Sequence, residues 1–177
     1  ADAVGLFQLR IEAQHKIATG GNSADNKTLI VFSDDLDKAL ASFVIANGAA
    51  STGKKVTMFF TFWGLNVIKK REKTAVSKDI FGKMFGWMLP ANSEKLKLSK
   101  MNMGGAGSWM MRLIMRKKRI DSLESLMAHA VGIEMIACTM SMDVMGVKKE
   151  ELMDNVVLGG VATYLERAED ANVNLFI

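Results

Sequence analysis

The chain has 177 residues, 49% of them hydrophobic, and a formal net charge of +4. That supplies one compact core and too little charge of one sign for a general nucleic-acid binder, so no nucleic-acid partner is expected. The single cysteine excludes an internal disulfide framework and an internal CxxC couple; any thiol chemistry must find its second sulfur on another molecule, and this usage suits the cytoplasm.

The opening ADAVGLFQLR lacks the basic-then-apolar plan of a secretion signal and reads as a trimmed start. Residues 1–18 predict a helix with Val4, Phe7, Ile11 and Ile17 on a ragged apolar stripe, and TGGNSADN reads as a linker. Residues 1–26 are therefore expected to form an appendage, with the main domain at 27–177. In KTLIVFSDD the run Leu29 to Phe32 predicts a buried strand. Ser33 or Asp34 is placed to cap the following helix, whose Leu36, Leu40, Phe43, Val44 and Asn47 share a face and whose end is marked by Gly53. KVTMFFTFWG predicts a second buried strand ending at Gly64. Residues 72–119 break the pattern with many methionines and the only proline, Pro90, and read as a long, partly helical, Met-rich insertion.

SLESLMAHAVG then predicts an amphipathic helix and GIEMIAC, at 132–138, a third strand. KKEELMDN predicts a short helix, VVLGGVATYLERAEDA a longer one, and NVNLFI a closing strand. No uncharged apolar run approaches the ~18 residues of a membrane span. The alternation predicts an α/β domain: an open, mostly parallel sheet with helices on both faces.

In such sheets the ligand crevice lies beyond the carboxyl ends of the strands. Three strands deliver distinctive residues there: Ser33, Asp34 and Asp35; Phe62, Trp63 and Gly64; Cys138, Thr139, Met140 and Ser141. Two readings of Cys138 stand side by side. As a reactive thiolate it would be stabilised by turn N–H groups and the hydroxyls of Thr139 and Ser141, with Asp143 opposing unless it turns away. As a core residue it would be buried and inert. Ser33, Asp34, Trp63, Gly64 and Met140 are candidate pocket walls. The M-x-M pairs Met101/Met103 and Met140/Met142 suit a Cu(I) site with Cys138, or simply adaptable packing; packing is the reading adopted, and no metal is assigned. His15 and His129 lack metal-ligand spacing, and MGGAGSW lacks nucleotide-loop spacing. GSWMMRLIMRKKRI carries apolar residues on one face and five cations, which suits a solvated helix, or contact with a membrane surface through 109–119 or with an acidic module.

The stretches FSDDLDKALASFVIANGAASTGKKVTMFFTFWGL, MNMGGAGSWMMRLIMRKK and GIEMIACTMSMDVMGVKKEELMDNVVLGGVATYLERAEDANVNLFI resemble the DsrE/DsrF-like sulfur-relay family, in the branch often joined to rhodanese and TusA-type modules. The resemblance implies a flavodoxin-like fold, assembly into homo-oligomers of three or more, and no cofactor. It also implies a cysteine, here Cys138, that carries sulfane sulfur or thiosulfonate from a rhodanese-like donor to a TusA-type acceptor. The competing class is a non-catalytic binding or scaffold module with a buried Cys138.

Overall fold

The computed structural model describes residues 25–71, Met84 and residues 89–177. The helix expected at 1–18 and much of the insertion lie outside the described residues. Among the described residues five strands form one sheet: β1 (Asn26–Val31), β2 (Val56–Phe60), β3 (Glu134–Cys138), β4 (Val156–Gly159) and β5 (Ala171–Phe176). Their order is β4-β3-β2-β1-β5, and every pairing is parallel. Parallel pairing forces a crossover between consecutive strands, supplied by α1 (Leu36–Ser51), α2 (Ala106–Lys117), α3 (Leu123–Ala128), α4 (Thr139–Met145) and α5 (Val161–Glu169).

The strand order dictates where those helices go. From β1 to β4 each strand is added on the same side of the last, and connections of one hand then place the intervening helices on one face. The chain next returns from β4 past the whole sheet to β5, and the same handedness sends α5 over the opposite face. Packing agrees: α1 lies on β1, β2 and α3, whereas α5 lies on β1, β4 and β5. The α1 face holds the main core, with Leu29, Val31, Phe43, Met58, Phe60 and Met135 fully buried. The α5 face holds a small cluster of Phe59, Ile136, Cys138 and Tyr164.

Four expectations need correction. VVLG is not the start of a helix: it is β4, and the helix begins only at Val161, because the β-branched pair fits an edge strand and Gly159-Gly160 breaks the chain before the helix. The second strand does not reach Gly64. It stops at Phe60, Phe62 takes a positive φ of 45°, and Phe62–Ile68 winds into a 3-10 helical segment. On α1 the buried side is Leu36, Ala39, Ser42, Phe43 and Ala46, which leaves Val44 exposed, since small residues let the helix lie close to the sheet. Asp35, not Ser33 or Asp34, occupies the N-cap position, while Ser33 Oγ accepts its N–H at 3.1 Å.

Gly64 has a steric role at the turn after β2. Its N–H donates to the carbonyls of Phe32 at 2.8 Å and Thr61 at 3.0 Å, and a Cβ there would overlap the Val31 carbonyl oxygen. Gly64→Ala is expected to destabilise the protein by about 3 kcal/mol in urea denaturation, as overpacking against backbone does; a loss within experimental error would show that the turn yields.

On the α5 face, the Glu134 carboxylate accepts bonds from Arg167 of α5 at 3.1 Å and from Thr57 at 2.9 Å. Burial alone would raise its pKa, but these partners outweigh burial and hold it below the usual carboxylate range. A depressed folded-state pKa contributes stability that is present above the unfolded value and lost as pH falls through the folded value. Glu134→Gln should therefore melt below the parent at neutral pH and converge with it in acid; parallel melting curves across that range would refute the linkage.

Candidate functional site

Strands β3 and β4 are neighbours whose chains leave for opposite faces. β3 runs into α4, whose Met142 and Met145 enter the α1-face core, and β4 runs into α5, whose Tyr164 enters the other cluster. Such divergence opens a crevice at the carboxyl ends of the two strands, the switch point of an open parallel sheet. Cys138, the last residue of β3, sits there in register with Gly159. Beyond it, a side chain added at Gly160 would meet nothing within 4 Å.

Strand alternation sets the direction of the thiol. Met135 and Ala137 face the α1 core, while Glu134, Ile136 and Cys138 face α5. Cys138 is 1% exposed, enclosed with Phe59, Ile136 and Tyr164. Tyr164 stacks at a tilt on Phe59 with centroids 5.2 Å apart, and its hydroxyl lies 3.3 Å from Thr28 Oγ1. Cys138 also occupies the extended N-cap position of α4, and its side chain makes no capping bond.

The other candidates divide into two groups. Thr139, Met140 and Ser141 follow Cys138 on α4, and Ser141 Oγ lies 2.8 Å from Thr61 Oγ1, tying α4 to the end of β2. Thr139 and Asp143 are exposed, and Met140 is 54% exposed. Trp63 is partly exposed and Gly64 is buried, both in the 3-10 segment that α4 packs against. Ser33 and Asp34 are not brought to the thiol. Ser33 donates to the Asp35 carboxylate at 2.8 Å at the start of α1. Asp34 accepts from Asn66 Nδ2 at 2.9 Å, Asn66 Oδ1 accepts from Lys69 Nζ at 2.7 Å, and burial pushes the Asp34 carboxyl up against the lowering effect of Asn66. Asp34 opens into a 580 Å³ cleft lined by Asp35, Lys95 and Lys97, and Cys138 is not among its walls.

Sequence reasoning missed Thr61, Tyr164 and the Gly159-Gly160 pair. Period-two reading of GIEMIAC, in which Glu134, Ile136 and Cys138 alternate with apolar Met135 and Ala137, carries the signal for the face of the thiol. Among the described residues, no group of three or more His, Cys, Asp and Glu could hold a metal ion. The methionines of the Met140/Met142 pair diverge: Met142 packs in the α1-face core, away from the α5-face cluster that holds Cys138, and Met140 faces solvent.

A parallel five-stranded α/β sheet with a cysteine at its switch point defines the class, and comparison with known proteins defines the family. A family model described as the DsrE/DsrF/DrsH-like family matches residues 24–176. The chain belongs to that family. It is 46% identical over 152 residues, 85% of this chain and 95% of the relative, to YrkE of Bacillus subtilis strain 168, an uncharacterised protein. It is 32% identical over 155 residues, 84% of this chain and 96% of the relative, to the sulfur carrier protein DsrE2 of Allochromatium vinosum. Among solved structures, the YchN protein of E. coli superposes with a TM-score of 0.49 at 10% identity, covering 86% of this chain and 99% of that one.

The role of Tyr164 in the cluster that encloses the thiol is testable. Tyr164→Ala should cost about 3 kcal/mol of stability as a cavity-forming change and speed labelling of native Cys138 by N-ethylmaleimide by about tenfold or more through easier local opening. An unchanged labelling rate in the folded variant would mean that Tyr164 does not control access to the sulfur.

Proposed function

We propose that this chain is a sulfur carrier or sulfurtransferase that holds sulfane sulfur or a thiosulfonate group on Cys138. The observation that supports the reading is the position of Cys138, the only cysteine of the chain, at the switch point of a family whose members include a named sulfur carrier. Loading is a displacement at sulfur. The Cys138 thiolate attacks the outer sulfur of a donor persulfide, the donor thiolate leaves, and Cys138 becomes the persulfide. With tetrathionate the thiolate takes a thiosulfonate-terminated sulfur and thiosulfate leaves. Unloading is the mirror step: an acceptor thiolate attacks the first sulfur beyond Cys138 Sγ and Cys138 leaves as thiolate. The absence of a second cysteine suits a carrier, since an internal thiol would expel the cargo and leave a disulfide.

A rhodanese-like protein is the proposed donor, a TusA-type protein the proposed acceptor, and the cytoplasm the proposed compartment. Thr139 and Ser141 are the proposed stabilisers of the anion once the site opens, with Met140, Trp63 and Gly64 bordering the approach. Exposed Met140, Val144, Val157, Val161 and Leu165 lie on α4, β4 and α5, the elements that frame the switch point, and such apolar exposure supports assembly into a homo-oligomer, for which three or more copies are proposed from the family resemblance. A second reading, a non-catalytic binding module with an inert core cysteine, is favoured by the 1% exposure of Cys138.

Intact mass of the native, reduced protein after polysulfide, tetrathionate or a loaded rhodanese separates the two. The carrier reading expects one adduct of sulfur or thiosulfonate, removed by reductant and absent from Cys138→Ser. No adduct on folded protein would establish the binding-module reading.

A further inference from the structure

Between Glu94 and Asp121 the chain carries eight lysines and arginines and no acid, against +4 for the whole molecule, so the remainder is net acidic. Of these cations Arg112 is engaged, donating to the Ser93 carbonyl at 3.0 Å and pairing with Glu124 at 3.6 Å. The other seven are exposed and make no ion pair among the described residues.

Helix α2, in the middle of this stretch, is turned inside out. It buries Gly107, Ser108 and Met115 and presents Trp109 (66% exposed), Met110, Leu113 and Ile114 to solvent. Beside it Met101 and Met103 are 73% and 79% exposed, both at positive φ. That loop is fastened in place. The Asn102 carbonyl accepts the N–H groups of Gly105 at 2.8 Å and Gly107 at 3.1 Å, its side chain accepts from Ser108 Oγ at 2.9 Å, and Ser108 Oγ accepts from Leu98 N–H at 3.1 Å. A Cβ at Gly107 would overlap the Met101 carbonyl oxygen, so only glycine permits the closure. A hydrogen-bonded loop that holds two methionines in solvent at strained dihedrals marks a surface shaped for contact.

We propose that α2 and the adjoining Met101–Met103 loop dock peripherally on an anionic lipid bilayer, with the outward apolar residues entering the interface and the surrounding lysines and arginines meeting phosphate headgroups. An outward face of tryptophan and aliphatic side chains, rimmed by cations, matches the layering of a bilayer interface. A second copy of this chain is a poor occupant, because a two-fold contact would set this cationic patch against itself. The surface is distinct from the Cys138 site, and among the described residues no helix is long and apolar enough to cross a membrane.

Flotation of the full chain with vesicles of phosphatidylcholine alone, and of phosphatidylcholine with phosphatidylglycerol, tests the proposal. Binding is expected on the anionic vesicles, weak on the neutral ones, and reduced in about 0.5 M salt. Trp109→Ser with Leu113→Ser, and separately Lys117→Gln with Lys118→Gln, should each weaken it about tenfold or more without moving the melting temperature. Cys138→Ser should bind like the parent, which separates this outcome from that of the sulfur chemistry. Binding to neither vesicle, equal binding to both, or binding that survives the Trp109/Leu113 pair would overturn it. So would polyglutamate competing more strongly than anionic vesicles, which would assign an acidic polypeptide instead.

Discussion

The reversal of the sheet at β4 is the constraint on which the rest depends. Because β1 to β4 advance in one direction and β5 lies beyond β1, a single return crossing is unavoidable, and it must pass over the face that the earlier helices left free. That crossing creates the divergence between β3 and β4, and with it the crevice where Cys138 ends its strand. It also makes the two faces unequal. Among the described residues, one is covered by α1 and α3 over a broad core, the other by the nine residues of α5 over a cluster of four buried apolar side chains.

The inequality bears on how a buried thiol works. Local opening costs least where few apolar contacts hold an element down, and α5 rests on the Cys138 side through Tyr164 while Val161 and Leu165 face outward. Reaching the sulfur from the α5 face therefore disturbs a small cluster and leaves the main core intact. The same reasoning shows how a cysteine enclosed in the resting chain would meet a partner thiol under the proposed function.

Much of this was legible in the sequence, for physical reasons that differ by element. The continuous apolar runs of β1 and β3 and the capped, periodic segment of α3 announced themselves, because burial on both faces and a polar-apolar stripe leave distinct patterns. β4 did not, because a four-residue edge strand followed by Gly-Gly and a helix reads as one helical segment, and without β4 the switch point has only one of its strands. Asp34 lies at the expected edge but opens into a cleft that Cys138 does not line: neighbouring strand ends lie close along a sheet, yet the face each side chain takes depends on register. Cys138 is the candidate thiol by its strand and its resemblance, whereas its enclosure in one buried cluster with Tyr164, 26 residues further along the chain, is in no local pattern.

The two surfaces lie on opposite sides of the sheet, and that separation follows from the same topology. α2 belongs to the connection from β2 to β3, on the α1 face, where Arg112 and Met115 line a 540 Å³ cleft with Leu36 and Leu40 of α1. Cys138 faces α5, on the other side of the sheet. A chain held at a charged interface through α2 would thus keep its thiol on the side directed away from that interface. Had α2 followed β4 instead, the cationic patch and the thiol would share a face, and the occupant of one would block the other.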